Sequence, residues 1–340
     1  MQVIKFLFLG LTLADKPGYV EFNPMFGSQD TPIAGALKTG TLGYFIRRGL
    51  PVNIRDFYKL FVVEPPIRLA TPRNLKHGSV EDIKDNYVNS IISICDPKLY
   101  PSHECTCPET YADVQALDDR SIYSLAVLAV NKRQKKIILS YRGTGTVQNI
   151  LDDFNFQMTS SPEMPEEAKV HHGFYTHYMT LYYHARTAML GYLKDPRYAG
   201  YGVQLTGYSL GAAIATLSLP SWIDFLNQHN QTRPIELYLY SSPRVGNAHF
   251  ANYIDGLNVP ITRYTFQNDP VPHLPPRSYE FVHVGVEIHE QVFANDTKTY
   301  TICSQEYDED PECAWKQKDH LQVEHHFTPF NHTFPAPPVC

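Results

Sequence analysis

No apolar run in this 340-residue sequence approaches the roughly 20 residues that a membrane-spanning helix requires, so no transmembrane anchor is expected. Positive charge is also scarce. The 29 Lys and Arg residues are outnumbered by 35 Asp and Glu, and the formal net charge is -6 at pH 7. Lys132, Arg133, Lys135 and Lys136 form only one short cationic run. That balance gives no field to attract a phosphate backbone, and nucleic acid is excluded as a partner. Paired metal-ligand clusters are missing too. Cys105 and Cys107 stand two apart without a second pair at ligand spacing, so no structural zinc is expected. No segment recurs at the period of a solenoid or propeller.

The sequence does have the material for a sizeable core. Hydrophobic residues make up 43% of the chain and charged residues 19%, enough for one α/β domain with a dry interior. At the N-terminus, Lys5 precedes the apolar run Phe6 to Leu11, and Thr12-Leu13-Ala14 supplies small residues for cleavage, so residues 1–14 read as a secretory signal peptide. Six cysteines, Cys95, Cys105, Cys107, Cys303, Cys313 and Cys340, suit an oxidising compartment, and they could pair in any of fifteen ways. Asn230, Asn295 and Asn331 each open a glycosylation tripeptide. Leader, cysteines and acceptor sites agree on secretion, or on residence in a secretory-pathway lumen or vacuole.

From 15 to 78 the chain is rich in Pro, Gly and aromatics without a sustained period, which suggests an extension or pro-segment. Arg47-Arg48 within it offers a dibasic processing site. Regular structure is predicted from Ser79, which can cap a helix with Asp82 three residues on and Ile83, Tyr87, Ile91 and Ile94 along one face. Strands are expected at 121–130 and 136–141. Helices at 175–193, 210–219 and 247–257 then alternate with strands at 202–206, 235–240, 261–266 and 281–288. Such alternation predicts an α/β fold with a mostly parallel central sheet and helices on both faces, carried by residues 79–340.

The sharpest local signal is Gly207-Tyr208-Ser209-Leu210-Gly211, set between an apolar strand and an Ala-rich helix. A strained strand-to-helix elbow needs small residues on both sides of an exposed serine, and the two glycines provide them. A serine hydroxyl is a weak nucleophile until a base removes its proton, so a carboxylate and a histidine should follow in that order. Asp269, in Asp269-Pro270-Val271-Pro272, lies just beyond a predicted strand. Among fifteen histidines, His320 near the C-terminus is the favoured base, with His325 and His326 as rivals.

These segments resemble the fungal class 3 lipase family, with its feruloyl esterase relatives, from Ser79 to the C-terminus. Tyr141-Arg142-Gly143-Thr144 is similar to the family's oxyanion strand end, His171-His172-Gly173-Phe174 to its helix lead-in, and Ser242-Pro243-Arg244-Val245-Gly246-Asn247 to its post-strand loop. Asp269 to Pro276 resembles the segment carrying the acid, and Asp319-His320-Leu321 the one carrying the base. The resemblance implies an α/β-hydrolase fold with Ser209 as nucleophile, Asp269 as acid and His320 as base. It also implies oxyanion donors at Thr144 and the Leu210 backbone N–H, and disulfides Cys95–Cys340 and Cys303–Cys313, leaving Cys105 with Cys107. Tyr208 departs from the family, which usually has histidine there, and could alter the substrate mouth.

Beyond Thr144, Val147, Ile150, Leu151 and Phe154 recur at i, i+3, i+4 and i+7 with polar residues opposite, the pattern of a lid that opens toward lipid. Triacylglycerol lipase is therefore the first functional reading, with a lipid–water interface as the place of action. A feruloyl-type or other soluble carboxylesterase is the second, and a non-catalytic lipid-binding relative the third. Water is the only second substrate such chemistry needs, so no cofactor or metal is implied.

Overall fold

The computed structural model describes residues 11–13, 20–22, 65–94, 110–119, 124–143 and 156–331. Within the predicted leader and extension, strands β1 (Leu11–Leu13) and β2 (Val20–Phe22) pair antiparallel. Helix α1 (Val80–Ile91) begins where the capping residues place it: Ser79 Oγ accepts from the Asp82 backbone N–H, and the Asp82 carboxylate accepts from that of Ser79. Its predicted apolar positions Ile83, Tyr87 and Ile91 are buried.

Eight strands form the central sheet, in the order β12 (Lys298–Ile302), β11 (Val286–Val292), β10 (Ile261–Phe266), β9 (Ile235–Tyr240), β8 (Gly202–Tyr208), β5 (Lys136–Tyr141), β4 (Ser124–Asn131) and β3 (Tyr111–Asp119). The five from β11 to β5 run parallel, and the pairs at both edges are antiparallel. Edge strands β3 and β12 do not stand out in the sequence. A small sheet of β6 (Met158–Ser160) and β7 (Lys169–His171) leads into helix α2 (His172–Lys194). Helix α3 (Leu210–Gln228) follows β8, and α4 (Ala248–Gly256), capped by Asn247, follows β9.

Period-two alternation assigns the two sheet faces. Leu237 and Leu239 of β9 join Val203 and Leu205 of β8 in the core built by α2 and α3. Tyr238 and Tyr240 join Tyr208 and Tyr264 in a second core under α1. Buried on this second face, Gln204 donates to Asn86 and accepts from Asn89 of α1. Helices thus cover both faces, which is why the parallel strands are buried over most of their length.

Two boundaries differ most from the sequence reading. Helix α3 runs nine residues past the expected end at Leu219, with Pro220 inside it. An interior proline costs about 3 kcal/mol, but the turns beyond bury Trp222, Phe225 and Leu226, each worth roughly 1.5–3 kcal/mol. Packing wins. The strand expected at 281–288 starts only at Val286, because Gly285 adopts φ +66 and a Cβ there would lie 2.4 Å from Ile261 Cγ2. The left-handed residue breaks the extended run.

Residues 65–78 lie along the sheet domain. Leu69 and Arg73 donate through their backbone N–H groups to Glu306 and Gln305, and the Ile261 N–H donates to the Lys76 carbonyl. Cys303 and Cys313 form a disulfide. Cys95, Cys105, Cys107 and Cys340 lie outside the described residues, as do Thr144 and the expected lid positions Val147, Ile150, Leu151 and Phe154.

His171 caps α2 by accepting the Phe174 N–H on Nδ1, and burial lowers its imidazole to about 4, assisted by the charges of His172 and His177. Burial also holds the His283 ring well below its usual value. Both rings are neutral in the folded protein, whereas an unfolded imidazole protonates near 6.5. Between those values the unfolded chain binds more protons, so stability falls as pH drops through the window. His171 alone should cost about 2 kcal/mol by pH 5. The urea midpoint should accordingly fall between pH 7 and pH 5; an unchanged midpoint would contradict neutral burial.

Candidate active site

Ser209 occupies the bend between β8 and α3 with φ 58 and ψ -126, a left-handed conformation that costs a non-glycine residue on the order of 1–3 kcal/mol. Close packing enforces the bend. A Cβ at Gly207 would lie 2.3 Å from the Gly211 carbonyl carbon, and one at Gly211 would lie 2.0 Å from the Tyr141 carbonyl oxygen. At Gly143, just past β5, a Cβ would come within 2.6 Å of the Tyr208 carbonyl oxygen. The helix therefore leaves the sheet with its backbone against the end of β5. The Ser209 N–H is donated to the Tyr240 carbonyl on the neighbouring strand. The N–H of Leu210, at the first helical position, has no carbonyl one turn back to receive it.

Ser209 Oγ lies 2.9 Å from His326 Nε2, and His326 Nδ1 lies 3.0 Å from both carboxylate oxygens of Asp269. All three side chains are buried, at 2–3% exposure. Because a carboxylate can only accept, Nδ1 carries the proton in this arrangement and Nε2 faces the serine with its lone pair. Asp269 follows β10, and one of its oxygens also accepts the Val271 N–H. The acid, the base and the hydroxyl thus form one hydrogen-bonded line, the constellation of nucleophilic acyl transfer.

The expected base is therefore corrected: His326, and not His320, meets Ser209 and Asp269. His320 is exposed, and only its backbone carbonyl reaches this region, where it accepts from Asn268 Nδ2. The expected segment does run beside the acid. The chain needs six more residues, and the turn Val323–Phe327, before an imidazole arrives over the serine. His325 serves differently. Its Nδ1 accepts the Asn268 N–H at 3.2 Å, which requires a neutral ring, and burial lowers its pKa against the opposing pull of Asp269.

Asn268 also donates from Nδ2 to Gln317 Oε1 and accepts the Gln322 N–H on its carbonyl. The residue before the acid thus holds the histidine loop at positions 317, 320, 322 and 325. Behind the acid, Arg244 does the equivalent for the loop that follows it. Its guanidinium pairs with both Glu309 carboxylate oxygens at 2.6 and 2.7 Å and donates to the carbonyls of His273 and Pro275. Burial would raise the Glu309 carboxyl, but Arg244 outweighs it and keeps it well below the ordinary range. This ion pair explains the arginine of the Ser242–Asn247 motif.

A sequence profile of class 3 lipases matches residues 138–279, the stretch from β5 to the acid loop. Over that stretch the chain is similar to the class 3 lipases. A lipase of Rhizomucor miehei is 32% identical over 181 residues, which are 53% of this chain and 48% of that protein. The secreted mono- and diacylglycerol lipase A of Penicillium cyclopium is 33% identical over 190 residues, 53% of this chain and 58% of that protein. The match thus spans about half the length of these relatives. In three dimensions, the native Rhizomucor miehei lipase propeptide complex superposes with a TM-score of 0.65 at 25% identity, over 80% of this chain and 89% of that one.

Against the class 3 pattern, the Tyr208 departure also finds its place. The ring is buried, and its hydroxyl donates to the His326 carbonyl at 2.5 Å. Burial pushes the phenol well above 10, and the Asp269 charge adds to this, so it stays a donor. Among the described residues, Glu287, Cys303 and Cys313 bring ligand-type atoms within 4.8 Å of one another, but the two sulfurs are joined as a disulfide and offer no thiolates. No helix among the described residues is long and apolar enough to cross a membrane.

His326→Ala should abolish covalent labelling of Ser209 by a fluorophosphonate, whereas His320→Ala should label at the wild-type rate. The opposite pattern would return the base to position 320.

Proposed function

We propose that this protein is a secreted serine carboxylic ester hydrolase acting on lipid, with triacylglycerols as its first substrate class. The observation that carries this reading is the unbroken line from Ser209 Oγ through the His326 ring to Asp269. As the Ser209 hydroxyl attacks an ester carbonyl, its proton passes to His326 Nε2, and Asp269 stabilises the resulting imidazolium through Nδ1–H. The tetrahedral intermediate collapses as His326 returns that proton to the departing alcohol, leaving an acyl-serine. Water, deprotonated by the same ring, then attacks the acyl group and releases the carboxylic acid and free Ser209.

The Leu210 N–H and Thr144 are the donors assigned to the oxyanion. The first belongs to the start of α3, where the helix dipole also favours developing negative charge. Residues Val147, Ile150, Leu151 and Phe154 are assigned to a lid that hides an apolar face until lipid is met. Secretion is supported by the leader-like residues 1–14, by the Cys303–Cys313 disulfide and by exposed Asn230 and Asn295, which we assign as glycosylation sites with Asn331. The remaining bridges are assigned as Cys95–Cys340 and Cys105–Cys107. Residues 15–78 are assigned as a pro-segment or extension ahead of the lipase domain at 79–340, a reading supported by the likeness to a lipase propeptide complex.

Two measurements test the proposal. A fluorophosphonate should label Ser209 stoichiometrically, and emulsified long-chain triglyceride should be hydrolysed faster than dissolved short-chain p-nitrophenyl esters. Equal rates on both would favour a soluble esterase without a lid, and absence of labelling would favour a lipid-binding relative without catalysis. Thr144→Ala should lower kcat about a hundredfold or more, the usual cost of one oxyanion donor, with little change in Tm. Full activity in that variant would remove Thr144 from the mechanism.

A further inference from the structure

The loop that carries His326 is held by Asn268 at residues 317, 320, 322 and 325, but none of those bonds reaches residue 326 itself. Its carbonyl is held instead by Tyr208, the residue next to the nucleophile. Two consecutive residues of one elbow therefore grip a single residue at two points: Tyr208 Oη on the His326 carbonyl at 2.5 Å, and Ser209 Oγ on its Nε2 at 2.9 Å. The elbow is rigid, since neither flanking glycine has room for a Cβ. Ser241 Oγ donates to the phenol oxygen at 3.2 Å, which occupies an acceptor lone pair and leaves the O–H for the carbonyl. The Tyr208 ring sits 5.2 Å from the His326 ring and against Tyr87, fully enclosed, with no bulk water to substitute for its hydroxyl.

We propose that Tyr208 is a positioning residue for proton transfer, its hydroxyl setting the height of the His326 ring above Ser209 Oγ through the bond to the His326 carbonyl. This rests on the hydrolase reading above. The effect belongs to the hydroxyl and not to the ring, because the ring alone would pack equally well as phenylalanine.

Tyr208→Phe isolates that hydroxyl. With a dissolved p-nitrophenyl butyrate, kcat should fall roughly five- to tenfold, the range expected for one buried hydrogen bond and a slightly misplaced base, while KM stays within about twofold. The downfield proton resonance of His326 Nδ1–H, identified by its loss in His326→Ala, should shift or broaden in Tyr208→Phe. Ser241→Ala should move both readouts in the same direction by less, and it serves as the second variant if Tyr208→Phe folds poorly. Wild-type kcat with an unchanged resonance in both variants would overturn the proposal, as would a loss of kcat that only mirrors the folded fraction. If the wild-type protein neither hydrolyses esters nor labels at Ser209, the hydrolase reading fails separately, and the resonance still decides whether Tyr208 holds the histidine.

Discussion

Helix α3 must leave strand β8 with its backbone pressed against the end of strand β5, and the rest of the site follows from that contact. There is no space for a side chain at Gly207 or Gly211, so the turn between them is forced, and Ser209 is held at positive φ. A relaxed bend would let the serine rotate into the sheet, and its hydroxyl would lose its fixed relation to the residues that arrive from elsewhere. The cost of that strain is on the order of 1–3 kcal/mol, small against the burial of α3, whose side chains are enclosed from Leu210 to Trp222.

Three separate strand ends converge on the elbow. Strand β5 supplies the floor and leads to Gly143, β8 leads to Ser209, and β10 delivers Asp269. All three run parallel, so their C-terminal ends lie at one edge of the sheet, the place where open α/β sheets gather ligands. The histidine has no strand of its own. It comes from a long loop beyond the sheet's last strand, and that loop is held by Asn268, by the contact of Tyr208, and at a distance by the Arg244–Glu309 pair behind the acid. The side chains that hold His326 and its loop thus sit directly beside Ser209 and Asp269 in sequence, which couples the three residues mechanically as well as electrostatically.

Much of this architecture was legible beforehand. The capping pair Ser79 and Asp82, the alternation of β9 and the glycine-flanked serine are local signals, governed by interactions within a few residues. The α/β reading followed from them. Edge strands β3 and β12 were harder to see, because half-exposed strands such as Lys298–Ile302 carry weak apolar patterns. The end of α3 was misplaced because proline's local cost is visible in sequence while the burial that overrides it is not.

The sequence alone placed Ser209 on its elbow, since a serine between two glycines at a strand-to-helix junction states its own backbone geometry. For the carboxylate it offered Asp269 just past a predicted strand, a position favoured by the resemblance to class 3 lipases rather than by spacing. The choice among three histidines within seven residues was decided only by tertiary structure. His320, His325 and His326 share one loop without periodic structure, and nothing local distinguishes an imidazole that reaches Ser209 from one that meets water or a backbone N–H. Which ring arrives depends on where Asn268 and Tyr208 grip that loop, and those contacts join residues 57 to 118 positions apart.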